Sequence, residues 1–187
     1  MALTISLKSD YQQAMRKLRN QLGHRAPRAA VSGLNRTARY ALTASIRAVQ
    51  KDIGATSQKS IRRNVHAIRA TPQKLEAEIE ARSTKKERIP IFEIRPKPRG
   101  LTKRRPAGGV RYGPQSKLIP GSFIGRMQSG HVGVFKRAGA ARLPIAELFG
   151  PSVALVLSRK RVYEQVRKVI AERLPREIQR AFKFATG

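Results

Sequence analysis

Glu76, Glu78 and Glu80 recur two residues apart, a spacing that puts three carboxylates on one face of an extended chain. Three such groups side by side are the strongest enzymatic feature here, the makings of a magnesium-dependent nuclease. Leu75, Ala77, Ile79 and Ala81 alternate with them, however, and regular alternation is what a strand with one solvated face gives. No His lies near them in sequence. His24, His66 and His131 are scattered, and none has a metal-ligand spacing such as His-Glu-x-x-His. The chain has no Cys, no phosphate-binding loop of the Walker type and no Gly-x-Ser-x-Gly elbow. Gly108, Gly109 and Gly113 lack the strand and helix context of a dinucleotide fingerprint. The expectation is a protein that is not an enzyme, with no metal and no cofactor.

Charge is the larger signal. The 187 residues include 40 Lys or Arg against 11 Asp or Glu, a net charge of +29. Tyr11 to Lys51 holds nine basic residues and Ile94 to Ala146 twelve, and neither stretch contains an acid. A field of this sign repels other copies of itself and attracts polyanions or acidic protein surfaces. Nucleic-acid binding would release counterions and weaken steeply with salt. Solubility alone requires far less charge. On these grounds a cellular, non-specific nucleic-acid-binding protein of ribosomal or nucleoid type is one open reading. The length suits a single domain burying about 70% of its unfolded surface. No apolar run is long enough to span a membrane, the first residues lack the basic start of a signal peptide, and no membrane partner is expected. The absence of Cys fits a reducing compartment.

The elements follow from periodicity. Leu3, Ile5 and Leu7 predict an opening strand. Tyr11, Met15, Leu18 and Leu22 predict a helix ending at Gly23. Val31, Leu34, Ala38, Leu42, Ile46, Val49 and Ile53 predict a longer one from about Pro27 to Gly54, with Arg28, Arg36, Arg39 and Arg47 on its remaining surface. Ser57 caps a short helix to Asn64. Leu75 to Arg82 and Ile89 to Arg95 predict two strands paired antiparallel, and Leu118 to Ile124 and His131 to Lys136 two more. No crossover helix separates them, so the sheet is antiparallel. Ser152 caps a last helical region striped by Val162, Val166, Val169, Ile170, Leu174, Ile178 and Phe182, which Pro175 kinks or interrupts. Arg159, Lys160 and Arg161 would oppose the dipole of a fresh helix start. Either the helix has begun near Ser152, or it breaks where the cluster meets an anion.

Two segments are candidate binding surfaces. Arg95 to Lys117 has eight basic residues, four Pro, four Gly and no acid, and is expected to be a long loop or arm with no core of its own. Its Arg95, Lys97, Arg99, Lys103, Arg104, Arg105, Arg111 and Lys117 would touch DNA phosphates without reading sequence, or a neighbouring protein. Tyr112 alone is too little for a base-stacking platform. The second segment is an apolar corner of Leu143, Pro144, Ile145, Leu148, Phe149, Gly150, Pro151 and Ser152. Pro144 fixes its entry, Gly150-Pro151 forces a turn, and Leu148 and Phe149 need burial, either by docking the last helix on the sheet or against another subunit.

Gly33-Leu-Asn-Arg-Thr-Ala38, continuing through Ser45-Ile-Arg-Ala-Val49 to Gly54-Ala-Thr-Ser-Gln-Lys-Ser-Ile-Arg-Arg63, resembles the N-terminal helical region of the bacteriophage minor tail protein Z family. Arg142-Leu-Pro-Ile145 to Leu148-Phe-Gly-Pro-Ser-Val153 resembles that family's most recognisable element, ahead of its C-terminal helix. The resemblance makes Asn35, Arg36, Thr37 and Ala38 the N-terminal family motif. It does not include the arm. It implies an α+β fold with N-terminal helices, a central antiparallel β-sheet or partly closed barrel, and a C-terminal helix, in agreement with the periodicity; the long basic loop within the β part is read from composition alone. The chain would be one tail-completion domain over 1–187, with a helical part (1–65), a β part (66–149, arm 95–117) and a C-terminal helical part (150–187). The implied role is structural: a ring, of six in related neck proteins, where the tail tube meets the head, surrounding the DNA path. Its partners would be itself, other neck and tail proteins and channel DNA. Its place would be the tail neck of the virion, after assembly in the host cytoplasm.

Overall fold

The structure, a computed structural model, describes residues 2–7, 25–82, 88–94, 108–113 and 115–186. The helix expected over Tyr11 to Leu22 lies outside these residues, as does most of the basic arm.

Helix α1 (Arg25–Ile53) buries a face made mostly of small residues, among them Ala26, Ala29, Ala30, Gly33, Thr37, Ala38, Ala41 and Ser45. Such a face lets a second helix approach closely, and the long C-terminal helix α4 (Lys160–Thr186) packs along it. Gly54, at φ +69°, ends α1 in the left-handed conformation, and the Ala55 N–H reaches back to the Gln50 carbonyl at 3.0 Å. The short α2 (Lys59–Asn64) follows, with the Ser57 hydroxyl accepting from the Lys59 N–H at 3.1 Å just ahead of it.

Three strands flank the helices: β1 (Ala2–Leu7), β2 (Val65–Ile68) and β3 (Ala77–Arg82), ordered β1-β3-β2 and antiparallel throughout. The alternation in β3 buries Ala77, Ile79 and Ala81. With Ile5, Leu34, Ile61 and Val156 they belong to the main core, which joins sheet and helices. Because β3 is the central strand, both its edges are taken. The expected pairing with Ile89 to Arg95 therefore does not form: β4 (Arg88–Pro90) pairs instead with the last strand, and the chain then tightens into a 3-10 turn, Ile91–Glu93.

A second β region has its own small core of Ile91, Val110 and Val134. A hairpin, β5 (Gly109–Tyr112) and β6 (Lys117–Pro120), abuts a three-stranded sheet of β7 (Ser122–Arg126), β8 (Val132–Arg137) and β9 (Ile145–Glu147). The single strand expected over Leu118 to Ile124 is broken at Gly121, where φ is +70°. The buried Ser122 ties hairpin to sheet, donating to the Ile119 carbonyl at 2.7 Å and accepting from the Val110 N–H at 2.9 Å. The antiparallel pairing is thus distributed over four small sheets, none closed into a barrel among the described residues.

Strand β10 (Phe149–Ser152) leads into α3 (Val153–Leu157), whose N-terminus Ser152 caps by accepting from the Leu155 N–H at 3.3 Å. The chain breaks at Ser158 and Arg159 before α4. Both sequence alternatives for the basic cluster are realised: a helix has already begun at Val153, and at the break the Arg159 guanidinium hydrogen-bonds the Asp52 carboxylate. Asp52 at the C-terminal end of α1 and Arg159 at the start of α4 each oppose their own helix dipole, and pairing them relieves both. Pro175 does not interrupt α4. Pro175 and Ala171 are both exposed or half-exposed, so water reaches the carbonyl that the missing N–H leaves free.

Candidate assembly interface

The N-terminal family motif lies on α1, and its Asn35, Thr37 and Ala38 pack into the protein while Arg36 stays partly exposed. The Asn35 amide donates to the Ala70 carbonyl at 3.2 Å and accepts from the Ala70 N–H at 2.9 Å, satisfying both backbone groups of a buried residue beyond β2. Thr37 is buried with its hydroxyl on the Gly33 carbonyl at 2.9 Å, and Ala38 is buried beside it. Arg36 reaches across to α4, its Nη1 4.0 Å from the Glu177 carboxylate. At Gly33 the helices nearly touch: a Cβ there would lie 2.8 Å from Ile178 Cδ1, 2.9 Å from its Cα and 3.0 Å from the Glu177 carbonyl. The motif locks α1 to α4 and to the end of β2.

The apolar corner is of another kind. The Leu143-Pro144 bond is cis, and the Ala138 N–H donates to the Pro144 carbonyl at 3.1 Å. Ile145 opens β9 opposite Arg137. Leu148 is half-buried against the second core, and its N–H donates to the Val134 carbonyl at 2.8 Å. Gly150 is tightly placed, since a Cβ would come within 2.7 Å of Ile94 Cδ1. Pro151 and Ser152 then deliver the chain to α3. Phe149, expected to need burial, is instead exposed, because in β10 it sits opposite Pro90 with its side chain turned out; Leu143 is 67% exposed. The segment closes the domain and also presents two large apolar side chains to solvent.

Of the eight arm cations, Arg95, Lys97, Arg99, Lys103, Arg104 and Arg105 lie outside the described residues. Arg111 and Lys117 belong to the β5–β6 hairpin, so the arm's end is folded, and its Val110 is buried in the second core that Ile91 and Val134 share with it. Both cations are exposed, and Arg111 donates to the Ser116 carbonyl at 3.2 Å.

The three carboxylates, Glu76 just ahead of β3 and Glu78 and Glu80 within it, are held by neighbouring cations. Lys74 Nζ lies 2.6 Å from Glu78 and 3.9 Å from Glu76, while Arg82 Nε lies 3.3 Å from Glu80. The hydrogen bond and charge of Glu78 raise the Lys74 ammonium above its ordinary pKa. Asp52 and Glu177 face Arg159 and Arg36, and Glu147 lies 2.8 Å from His131 Nε2. No cluster of His, Asp and Glu among the described residues is arranged to hold a metal ion, and no helix among them is long and apolar enough to cross a membrane.

A family model described as prophage minor tail protein Z (GPZ) matches residues 9–186. This chain belongs to that family. Membership makes this chain a structural component of a phage tail, and so of the virion. Neither the curated proteins nor the solved structures contain a match. Both segments that carried the family resemblance fall inside the matched region. The sequence did not reveal what Gly33 does, nor that Ala70, Glu177 and Ile178 are its motif's partners. All of these are long-range contacts, and local spacing holds no trace of them.

Proposed function

We propose that this tail protein acts as a single unit over residues 1–187, a tail-completion protein that forms a ring at the head-proximal end of the tail, around the DNA path, and joins tail to head. The observation that carries the reading is the family match over nearly the whole chain, in a molecule whose described carboxylates mostly face cations of their own. The net charge of +29 already counts those carboxylates, so it stands as excess positive charge for external partners. A ring of six places Leu143 and Phe149 of the corner against the neighbouring subunit. The cations Arg95 to Arg105, with Arg111 and Lys117, face channel DNA or an adjacent neck protein. No cofactor and no catalytic step enter this role. The protein assembles with other tail proteins in the host cytoplasm and stays at the neck.

Electron microscopy of purified protein mixed with tail tubes tests the ring: a collar at one tube end is expected, and protein that stays monomeric beside bare tubes overturns it. Replacing Lys103, Arg104 and Arg105 by Ala should reduce the salt slope of DNA binding by about one for each phosphate that a removed side chain had neutralised. An unchanged slope assigns the arm to a protein interface.

A further inference from the structure

On the surface where α1 meets α4, Arg25, Arg28, Ser32, Arg36 and Arg39 follow one another along α1 at helical spacing, so they share a face. Arg180 and Phe184 lie beside them on α4. Two adjacent grooves run along this seam and share Arg36 and Arg180. The larger, about 610 Å³, has a floor that includes Ala29, Ala181 and Ala185, a rim of Arg25, Arg28, Arg36 and Arg180, and Phe184 standing at its edge, 90% exposed. Farther along, Arg173 covers the Tyr40 ring at 4.5 Å from its centroid. Glu177, 5% exposed, lines the smaller groove and stands 4.0 Å from Arg36, so it offsets one arginine of the rim and leaves Arg25, Arg28, Arg39 and Arg180 as the larger part of the positive edge.

We propose that this seam is a docking groove for an acidic amphipathic segment of another protein, one that sets apolar side chains on the alanine floor and against Phe184 while its carboxylates meet the arginine rim. Three observations favour this occupant. The arginines present forked donors that carboxylates match in pairs. An alanine floor beside an uncovered Phe has value only to a ligand with apolar side chains; a phosphate backbone would use the rim and leave the floor empty. A second copy of this chain would bring a strongly positive surface against five arginines, whereas an acidic segment removes that repulsion. The groove suits the helix-in-groove mode, in which a few apolar anchors are ringed by charge. The inference is independent of the ring and of the basic arm.

Fluorescence anisotropy on the full chain at physiological salt tests it with three probes: a synthetic helical peptide of Glu carrying Leu at every third and fourth position, the same peptide with Leu replaced by Ser, and a short DNA duplex. The Leu peptide should bind at least about tenfold more tightly than the Ser peptide. Phe184→Ala, at an exposed position, and the double variant Arg28→Glu with Arg180→Glu should each weaken it by about tenfold or more. Phe184→Ala should leave duplex binding unchanged, and circular dichroism should show each variant folded. Equal binding of the two peptides, or no binding of either, overturns the proposal. A charge-reversal variant that loses the duplex, while Phe184→Ala leaves every affinity unchanged, makes the seam a nucleic-acid surface and also overturns it. So does sedimentation showing that Phe184→Ala converts a dimer to a monomer, since the occupant is then a second copy. None of these outcomes bears on collar formation at tail tubes.

Discussion

The two segments that mark this chain as a minor tail protein Z are built for opposite purposes. Gly33 to Ala38 is turned inward, with both backbone groups of Ala70 satisfied by one amide and the helices brought together at a residue without a side chain. Leu143 to Ser152 is anchored by Leu148, Gly150 and Ser152 yet leaves Leu143 and Phe149 in solvent. One family signature therefore maintains the fold, while the other both closes the fold and offers a surface. Sequence likeness by itself does not distinguish these roles, because an apolar or small residue reads the same whether its neighbour belongs to the same molecule or to another.

Mutation can break the comparison. The largest effect is expected at Gly33: Gly33→Leu must push α4 away at Ile178, costing about 3 kcal/mol or more, measured as a lowered midpoint in urea unfolding. Asn35→Ala strips the Ala70 N–H and carbonyl of their partner and should cost about 1–3 kcal/mol in the same assay. Ser152→Ala removes the cap of α3 and should cost about 1 kcal/mol, which would show that the corner also carries some of the fold. Leu143→Ser should change stability by no more than about 0.5 kcal/mol, because the side chain is already in water. If it nonetheless lowers collar formation on tail tubes, the corner is a contact surface. A large stability loss at Leu143, or a negligible one at Gly33, would erase the distinction between the segments.

Local pattern carried a good deal of the architecture. The stripe from Val31 to Ile53 predicted α1 because a helix buries every third or fourth residue, and Gly54 marked its end because the left-handed conformation there suits glycine. The alternation from Leu75 to Ala81 predicted β3 for the equivalent reason at period two. Ser152 was readable as a cap since its partner, the Leu155 N–H, lies three residues away. The α+β class, the family and the unbalanced positive charge follow from such local or compositional signals.

Partners distant in sequence were decided only by the tertiary structure. The strand at Ile89 lost β3 to β1 and β2 and paired with β10, a competition between edges that no single segment encodes. The Arg159 cluster is legible as misplaced at a helix start, but its answer, Asp52, stands 107 residues earlier. Phe149 looked like a residue in need of burial, and Phe184 falls outside the apolar stripe that ends at Phe182; which face each presents depends on what packs opposite it. Helix and strand periods set which residues share a face because backbone geometry is local. Which face meets another, and which is left for a partner, is set by the packing of the whole chain.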